Sequence, residues 1–66
     1  MEGLVVSYSD KKGLGFISGE DDKQYIVFYN DIIMEGFQTL QRDNVVTFDP
    51  IIGRKGPIAK NVKRVK

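Results

Sequence analysis

The sequence predicts an all-β fold, a five-stranded antiparallel barrel formed by one small domain. Short β-rich segments alternate with glycine and turn residues, no stretch has the length and periodicity of a long helix, and 41% of the 66 residues are hydrophobic. Leu, Ile, Val and Phe occupy 21 of the 66 positions, which is enough apolar surface for a folded core. A chain of this length predicts a single domain over residues 1–66, since independent domains are rarely much shorter than about 50 residues.

The predicted strands are residues 4–9, 14–18, 24–30, 44–50 and 57–65. Short turns at residues 10–13 and 19–23 join the first three, a long connection covers residues 31–43, and a turn at residues 53–56 joins the last pair. A short helical turn is expected near residues 30–34, with Asn30 as its cap and Gly36 beyond its end. Three close strands, a long connection and a final pair favour a small closed or nearly closed barrel over an open sheet with bare edges.

Side-chain alternation predicts which residues form the core, because residues two apart on a strand share a face. Both faces of the second and third strands are apolar, yet a small barrel has one interior, so one set must point outward. Residues of core size and β-branched shape suit the interior: Val5, Ile17, Val27 and Val46. The remaining set forms an exposed surface, called here the aromatic patch: Leu14, Phe16, Ile26 and Phe28. The alternative assignment reverses the two faces and buries Phe16 and Phe28.

The composition excludes several classes of function. With no cysteine and no histidine, the chain has no disulfide, no Cys/His zinc site and no thiol or imidazole for catalysis. We therefore expect a protein that is not an enzyme and uses no cofactor or metal. The acidic residues 20–22 are typical of a hairpin turn, and the glycines lack the spacing of a dinucleotide-binding motif. Without a long apolar segment or signal-peptide pattern, the expected location is cytoplasmic.

The net charge of +1 hides a polarised distribution. Residues 50–66 carry +6, whereas residues 1–49 carry 4 basic and 9 acidic side chains, or −5. The six basic residues after Asp49 are Arg54, Lys55, Lys60, Lys63, Arg64 and Lys66. Such a distribution suits an anionic partner, and its plainer interpretation is a solvated basic end.

Two segments combine aromatic and basic residues. Residues 12–17, Lys-Gly-Leu-Gly-Phe-Ile, place a cation and an aromatic beside two glycines. Because glycine has no side chain, we expect the strand to be bare at these positions and to leave room for a flat base. Residues 25–29, Tyr-Ile-Val-Phe-Tyr, add further rings. Base stacking on an aromatic is worth about 1–3 kcal/mol, and lysine neutralises phosphate, so this pattern indicates single-stranded nucleic acid.

From these residues the chain resembles the cold-shock domain family, whose members are small five-stranded OB-fold barrels that bind single-stranded RNA and DNA. Residues 12–17 match the family's first ribonucleoprotein motif, with Leu14 where phenylalanine is common, and residues 25–29 match its second motif loosely. Residues 35–40 resemble the family's loop segment, and residues 56–62 its final strand almost letter for letter. The resemblance covers essentially the whole chain and implies an OB-fold.

The resemblance also implies a set of binding residues. Carried over by position, they are Tyr8, Lys12, Phe16, Phe28, Tyr29, Phe37 and Lys55, with weaker apolar contacts from Leu14 and Ile26. Two contacts are missing, because Val6 and Ser7 stand where the family has a phosphate-contacting lysine and a stacking tryptophan. In the second motif Ile26 replaces a phenylalanine and Phe28 a histidine. Losing one stacking platform costs about 1–3 kcal/mol, so weakened binding is expected.

The function implied by the family is an RNA chaperone or a regulator of transcription or translation, acting as a monomer on single-stranded RNA and DNA, with a domain-swapped or other dimer as an alternative. A different class of function stays open, a protein-interaction module on the same barrel. Its docking face for a partner or a second copy would be Val6, Leu14, Ile26 and Phe28. Salt dependence separates the two, because only phosphate binding weakens steeply with ionic strength.

Overall fold

The computed structural model describes residues 1–34, 36, 39–54 and 56–65 and shows a closed barrel. Its elements in chain order are β1 (Glu2–Ser9), β2 (Leu14–Gly19), β3 (Gln24–Phe28), the 3-10 helix η1 (Tyr29–Asp31), β4 (Val45–Gly53) and β5 (Gly56–Arg64). The strand order around the barrel is β1-β2-β3-β5-β4. The predicted five-stranded β-barrel is confirmed. In the described ranges no helix is long and apolar enough to cross a membrane.

The strand pairing departs from the uniformly antiparallel prediction at one seam. β1 pairs antiparallel with β2 and β4, β2 with β3, and β4 with β5, whereas β3 and β5 run parallel where Ile26 pairs with Ile58. A ring with an odd number of strands cannot alternate direction all the way round, so one neighbouring pair must be parallel. The long connection between η1 and β4 places that pair between β3 and β5.

The region after β3 differs from the sequence prediction. β3 ends at Phe28 rather than at residue 30, and the helical turn begins at Tyr29, with the Ile32 N–H donating to the Tyr29 carbonyl oxygen (3.2 Å). Phe28 occupies the cap position without a side-chain hydrogen bond, so the prediction of an Asn30 cap is wrong. The Tyr29 N–H donates to the carbonyl oxygen of Gly13 (2.9 Å), so the hydrogen bonding to the chain before β2 continues for one residue beyond the end of β3.

The core follows the predicted alternation. Val5, Ile17, Val27 and Val46 are at most 1% exposed, whereas Phe16 and Phe28 are each 39% exposed. The reversed assignment of faces is therefore wrong. Among the described residues the core contains six further buried side chains: Tyr25, Ile32, Leu40, Phe48, Ala59 and Val62.

The β2–β3 hairpin turn is tied to the core through Tyr25. The Tyr25 ring packs on Phe48 with ring centroids 5.0 Å apart, and its hydroxyl donates to Asp21 Oδ2 (2.6 Å). The backbone N–H of Lys23 donates to the other carboxylate oxygen of Asp21 (3.1 Å). The Tyr25 hydrogen bond holds the pKa of Asp21 below its usual value, and Asp21 in turn raises the pKa of Tyr25. Asp21 thus has a structural role in the turn.

We predict opposite effects of truncation at neighbouring positions on β2. Ile17→Ala removes a fully buried side chain and should lower the free energy of unfolding by about 2–5 kcal/mol through cavity formation. Phe16→Ala should cost well below the about 3–5 kcal/mol of a buried phenylalanine, because the ring is partly in water. Urea melts of both variants measure this, and equal losses would contradict the assignment of faces.

The Asp21–Tyr25 hydrogen bond predicts a pH window. The depressed pKa of Asp21 means that its stabilisation is present above 3.8, the ordinary value, and is lost as pH falls through the lower native pKa. The raised pKa of Tyr25 means that its stabilisation is present below 10.0 and is lost as pH rises through the higher native pKa. The stability difference between the wild type and Tyr25→Phe should therefore be largest between these limits. Urea melts across the pH range test this, and a pH-independent difference would refute it.

Candidate nucleic-acid interface

The aromatic patch lies on the outside of the barrel and continues onto β5. Phe16 pairs with Ile26 across β2 and β3, and Ile26 pairs with Ile58 across the parallel seam. One step along the strands, Leu14 pairs with Phe28. Phe16, Ile26 and Phe28 line one side of a hollow of ≈ 430 Å³, whose other lining residues are Gln24, Arg54, Pro57 and Ile58. Among the described residues, the hollow combines exposed rings, aliphatic walls and one cation, Arg54.

Four residues that line the hollow were not predicted from the sequence: Gln24, Arg54, Pro57 and Ile58. Gln24 begins β3, and the other three belong to the β4–β5 hairpin, which reaches β3 only through the parallel seam at Ile26 and Ile58. Arg54 could have been suspected as a binding residue because it is one of the six basic residues after Asp49. No local pattern indicates that this hairpin turn faces the aromatic patch.

The two departures from the family pattern lie beside this surface. Ser7 pairs with Phe16 across β1 and β2, so it extends the row of Phe16, Ile26 and Ile58 by one strand. The β1–β2 register shifts between Val5 and Ser7, which leaves Val6 unpaired with β2 as a bulge, and its side chain is exposed. The Cβ atoms of Ser7 and Phe16 are therefore about 5 Å apart, the spacing typical of directly paired residues.

Tyr8 is turned away from the aromatic patch. It pairs with Gly15, so its side chain lies on the opposite face from Phe16, and it packs half-buried against the core. Its hydroxyl is buried with no hydrogen-bond partner among the described residues, and burial, followed by the charge of Asp10, raises its pKa. Tyr8 was predicted at the edge of the binding surface, and the structure places it beneath that surface.

The structure assigns Gly15 a different role from the one predicted. A Cβ at Gly15 would lie 2.7 Å from Cδ1 of Tyr8 and still closer to the Ser7 carbonyl oxygen, and Gly15 itself is buried. The missing side chain therefore makes room for the Tyr8 ring and the β1 backbone. The interpretation that Gly15 leaves the strand bare for a base is wrong.

Lys12 and Tyr29 lie at the end of the patch formed by Leu14 and Phe28. Tyr29 is 52% exposed, and its Cδ1 lies 2.8 Å from the position that a Cβ on Gly13 would occupy. Gly13 has φ of +69°, a conformation that favours glycine. Lys12 is exposed, and its backbone N–H donates to Ser9 Oγ (3.3 Å). Phe37 and Lys55, which were also predicted, lie outside the described residues.

The described basic residues after Asp49 do not form one surface. Arg54 lines the hollow, and Lys60 pairs with Asp31 across 3.3 Å, the one ion pair within the described residues. Lys63 and Arg64 pair with Thr47 and Val46 of β4. They follow Ile58 by five and six residues, about 17–20 Å along a strand. The expected positive region is therefore divided, and Arg54 and Lys12 are the described cations at the hollow and at the end of the patch.

Comparison with known proteins gives consistent matches over the whole chain. A family model described as "'Cold-shock' DNA-binding domain" matches residues 1–65. A cold shock-like protein of Aquifex aeolicus is 48% identical over 62 residues, which cover 92% of this chain and 89% of that protein. A cold shock-like protein of Thermotoga maritima is 42% identical over 66 residues, the full length of both chains. Cold shock protein 2 of Lactiplantibacillus plantarum is 41% identical over 61 residues, 92% of each chain.

We predict that Gly15→Ala destabilises the barrel although it adds a single methyl group. The new Cβ meets backbone and a packed ring, neither of which is the free end of a flexible side chain. Such overpacking costs about 1–3 kcal/mol. Ser7→Ala, at an exposed position on the adjacent strand, is the control and should change stability little. A Gly15→Ala variant as stable as the wild type would show that Tyr8 and β1 are not held against Gly15.

Proposed function

The chain belongs to the cold-shock DNA-binding domain family, and on this basis we propose that it binds single-stranded RNA and DNA through the aromatic patch, without enzymatic activity. One observation carries the proposal. Phe16 and Phe28 project from adjacent strands on the outside of a barrel whose core is already filled by other side chains, and Arg54 lies at the same hollow. Exposed aromatics beside cations are the elements that a single strand requires.

The proposed mechanism is stacking combined with phosphate neutralisation. Bases stack on the exposed rings of Phe16, Phe28 and Tyr29, while Lys12 and Arg54 neutralise phosphates. Leu14 and Ile26 provide apolar contact between the rings. A base held on the barrel is unavailable for pairing, so the protein acts as an RNA chaperone or as a regulator of transcription or translation, in the cytoplasm. No cofactor takes part in this binding.

The family resemblance supplies the rest of the proposed surface. Phe37 and Lys55 are included on that resemblance alone. Tyr8 supports the aromatic patch from the inner side of the sheet, because its half-buried ring packs against Gly15, which lies between Leu14 and Phe16. Ser7 offers no ring beside Phe16, and Val6 no charge, so we expect weaker binding than in family members that keep tryptophan and lysine at these positions.

A second candidate function uses the same face for protein. The hollow walls include Ile26, Pro57 and Ile58, and the neighbouring Val6 is an exposed aliphatic side chain. An apolar partner, or a second copy docking there, would bury these groups. Its affinity would respond little to salt, whereas nucleic-acid affinity falls steeply with rising salt.

We predict that Phe16→Ala and Phe28→Ala each weaken binding of a short pyrimidine-rich DNA by about 1–3 kcal/mol, or about 5- to 150-fold. Ile33→Ala removes an exposed apolar side chain outside the hollow and serves as the control. Fluorescence anisotropy at two salt concentrations measures affinity and salt slope together. Wild-type affinity in both phenylalanine variants would exclude the patch, and a salt-independent affinity would favour the protein-interaction function.

We predict that Ser7→Trp restores a stacking platform. A ring at Ser7 would stand beside Phe16, so affinity for single strands should increase by about 1 kcal/mol or more, about fivefold. Thr47→Trp adds the same ring to an exposed position on β4 and should leave affinity unchanged. If both tryptophan variants bind like the wild type while remaining folded, bases do not reach the position beside Phe16.

A further inference from the structure

A second group of exposed apolar side chains lies on a part of the barrel that the proposed function does not use. Leu4 of β1 pairs with Val45 of β4, and the N–H of Val65, just after β5, donates to the Val45 carbonyl oxygen (2.9 Å). Leu4, Val45 and Val65 are 50%, 39% and 49% exposed. They form a row across β1, β4 and the residue that follows β5, called here the outer row. The aromatic patch, in contrast, is on β2 and β3. An exposed apolar row of this kind is typical of an interaction surface.

Opposite charges flank the two ends of the outer row. Glu2 pairs with Thr47 and Thr47 with Lys63, so a carboxylate and an ammonium lie on either side of β4, one step along from the outer row. Further acids, Glu20 and Asp22, line the hollow beside Leu4 with Glu2. Arg64 lines the hollow beside Val65 with Lys63. The β1 end of this surface therefore carries three acids. The β5 end carries two cations among the described residues, and one acid, Asp43, lines the hollow between Val45 and Val65.

These charges are not neutralised within the barrel. β1 and β5 are separated by two strand spacings, about 9–10 Å, and the ion pair found among the described residues is the one between Lys60 and Asp31. Glu2 and Lys63 thus both point to solvent across Thr47. Each end of the surface is complementary in charge to the opposite end.

This arrangement is complementary to itself under a two-fold rotation. A two-fold axis parallel to β4 and passing over Val45 and Thr47 exchanges the β1 side with the β5 side. It brings Val45 against Val45 of the partner subunit, Leu4 against the partner's Val65, and Glu2 against the partner's Lys63, with each unlike contact made twice. We propose that the outer row and its flanking charges are a self-association surface and that its occupant is a second copy of this chain.

The dimer is weak and leaves the aromatic patch free. Two convex barrels meet over a small area, so the interface falls below about 1,200 Å², the range of transient contacts. Its rim ion pairs are screened by salt. Both aromatic patches remain exposed because they lie on β2 and β3. If the proposed nucleic-acid function also holds, a long single strand would engage both copies and gain affinity through avidity.

Charge exchange tests the dimer without nucleic acid. In sedimentation equilibrium over protein concentrations up to about 1 mM, the wild type should show reversible dimerisation with a transient-interface affinity. Glu2→Lys places a lysine opposite the partner's Lys63, and Lys63→Glu places a glutamate opposite the partner's Glu2, so each variant alone should lose at least tenfold in dimer affinity. An equimolar mixture of the two variants should associate again, because each facing pair at positions 2 and 63 then joins a lysine to a glutamate. The double variant Glu2→Lys/Lys63→Glu should associate like the wild type.

Two further variants define the surface. Val45→Thr keeps the shape and charge of the central side chain but makes it polar, and it should weaken the dimer. Phe16→Ala should leave the dimer unchanged. A monomeric wild type at the highest concentration, a mixture that does not associate, or loss of association in Phe16→Ala would each overturn the proposal. Binding of a short oligonucleotide is measured separately, so failure of the dimer and failure of nucleic-acid binding are distinguishable.

Discussion

The structure depends on closing five strands around one small interior. Each strand can place only alternate side chains inside, and the interior is filled by residues such as Ile17 and Val27, both fully buried. The second apolar face of β2 and β3 then has no interior to enter, so Phe16 and Phe28 remain at the surface. The exposed rings are a consequence of barrel closure, and on the proposed function a single strand covers this exposed apolar area.

Closure with an odd number of strands has a second consequence. One seam must be parallel, and here it joins β3 to β5 at Ile26 and Ile58. That seam brings the β4–β5 hairpin, with Arg54 in its turn, to the hollow beside the aromatic rings. The same closure puts β4 between β1 and β5, so that Glu2 and Lys63 flank Thr47 on a separate part of the surface. Two surfaces of different chemistry therefore arise from one strand order.

The core positions and the hairpin turns depend on local pattern, and they could be predicted from the sequence. Alternation placed Val5 and Val46 inside the barrel, and turn residues located the hairpins to within a few residues. The sequence predictions failed for features that depend on how strands distant in sequence pair. The charge distribution along the sequence predicted one positive region that contained both Arg54 and Lys63, whereas strand pairing places them far apart. Lys60, also in that region, is partly neutralised by Asp31. Gly15 looked like open space for a base because its true neighbour, the Tyr8 ring, is set by the β1–β2 register. Register and closure are properties of the whole barrel.

On the proposed function, a single strand binds the outward face of β2 and β3. Mapping backbone and methyl chemical shifts while a short pyrimidine-rich oligonucleotide is added to the isotope-labelled protein tests it most directly. We expect the largest changes at Phe16, Ile26, Phe28 and Arg54, with the buried Val46 little affected. Changes centred instead on Leu4, Val45 and Val65, or the absence of any change at saturating oligonucleotide, would contradict it.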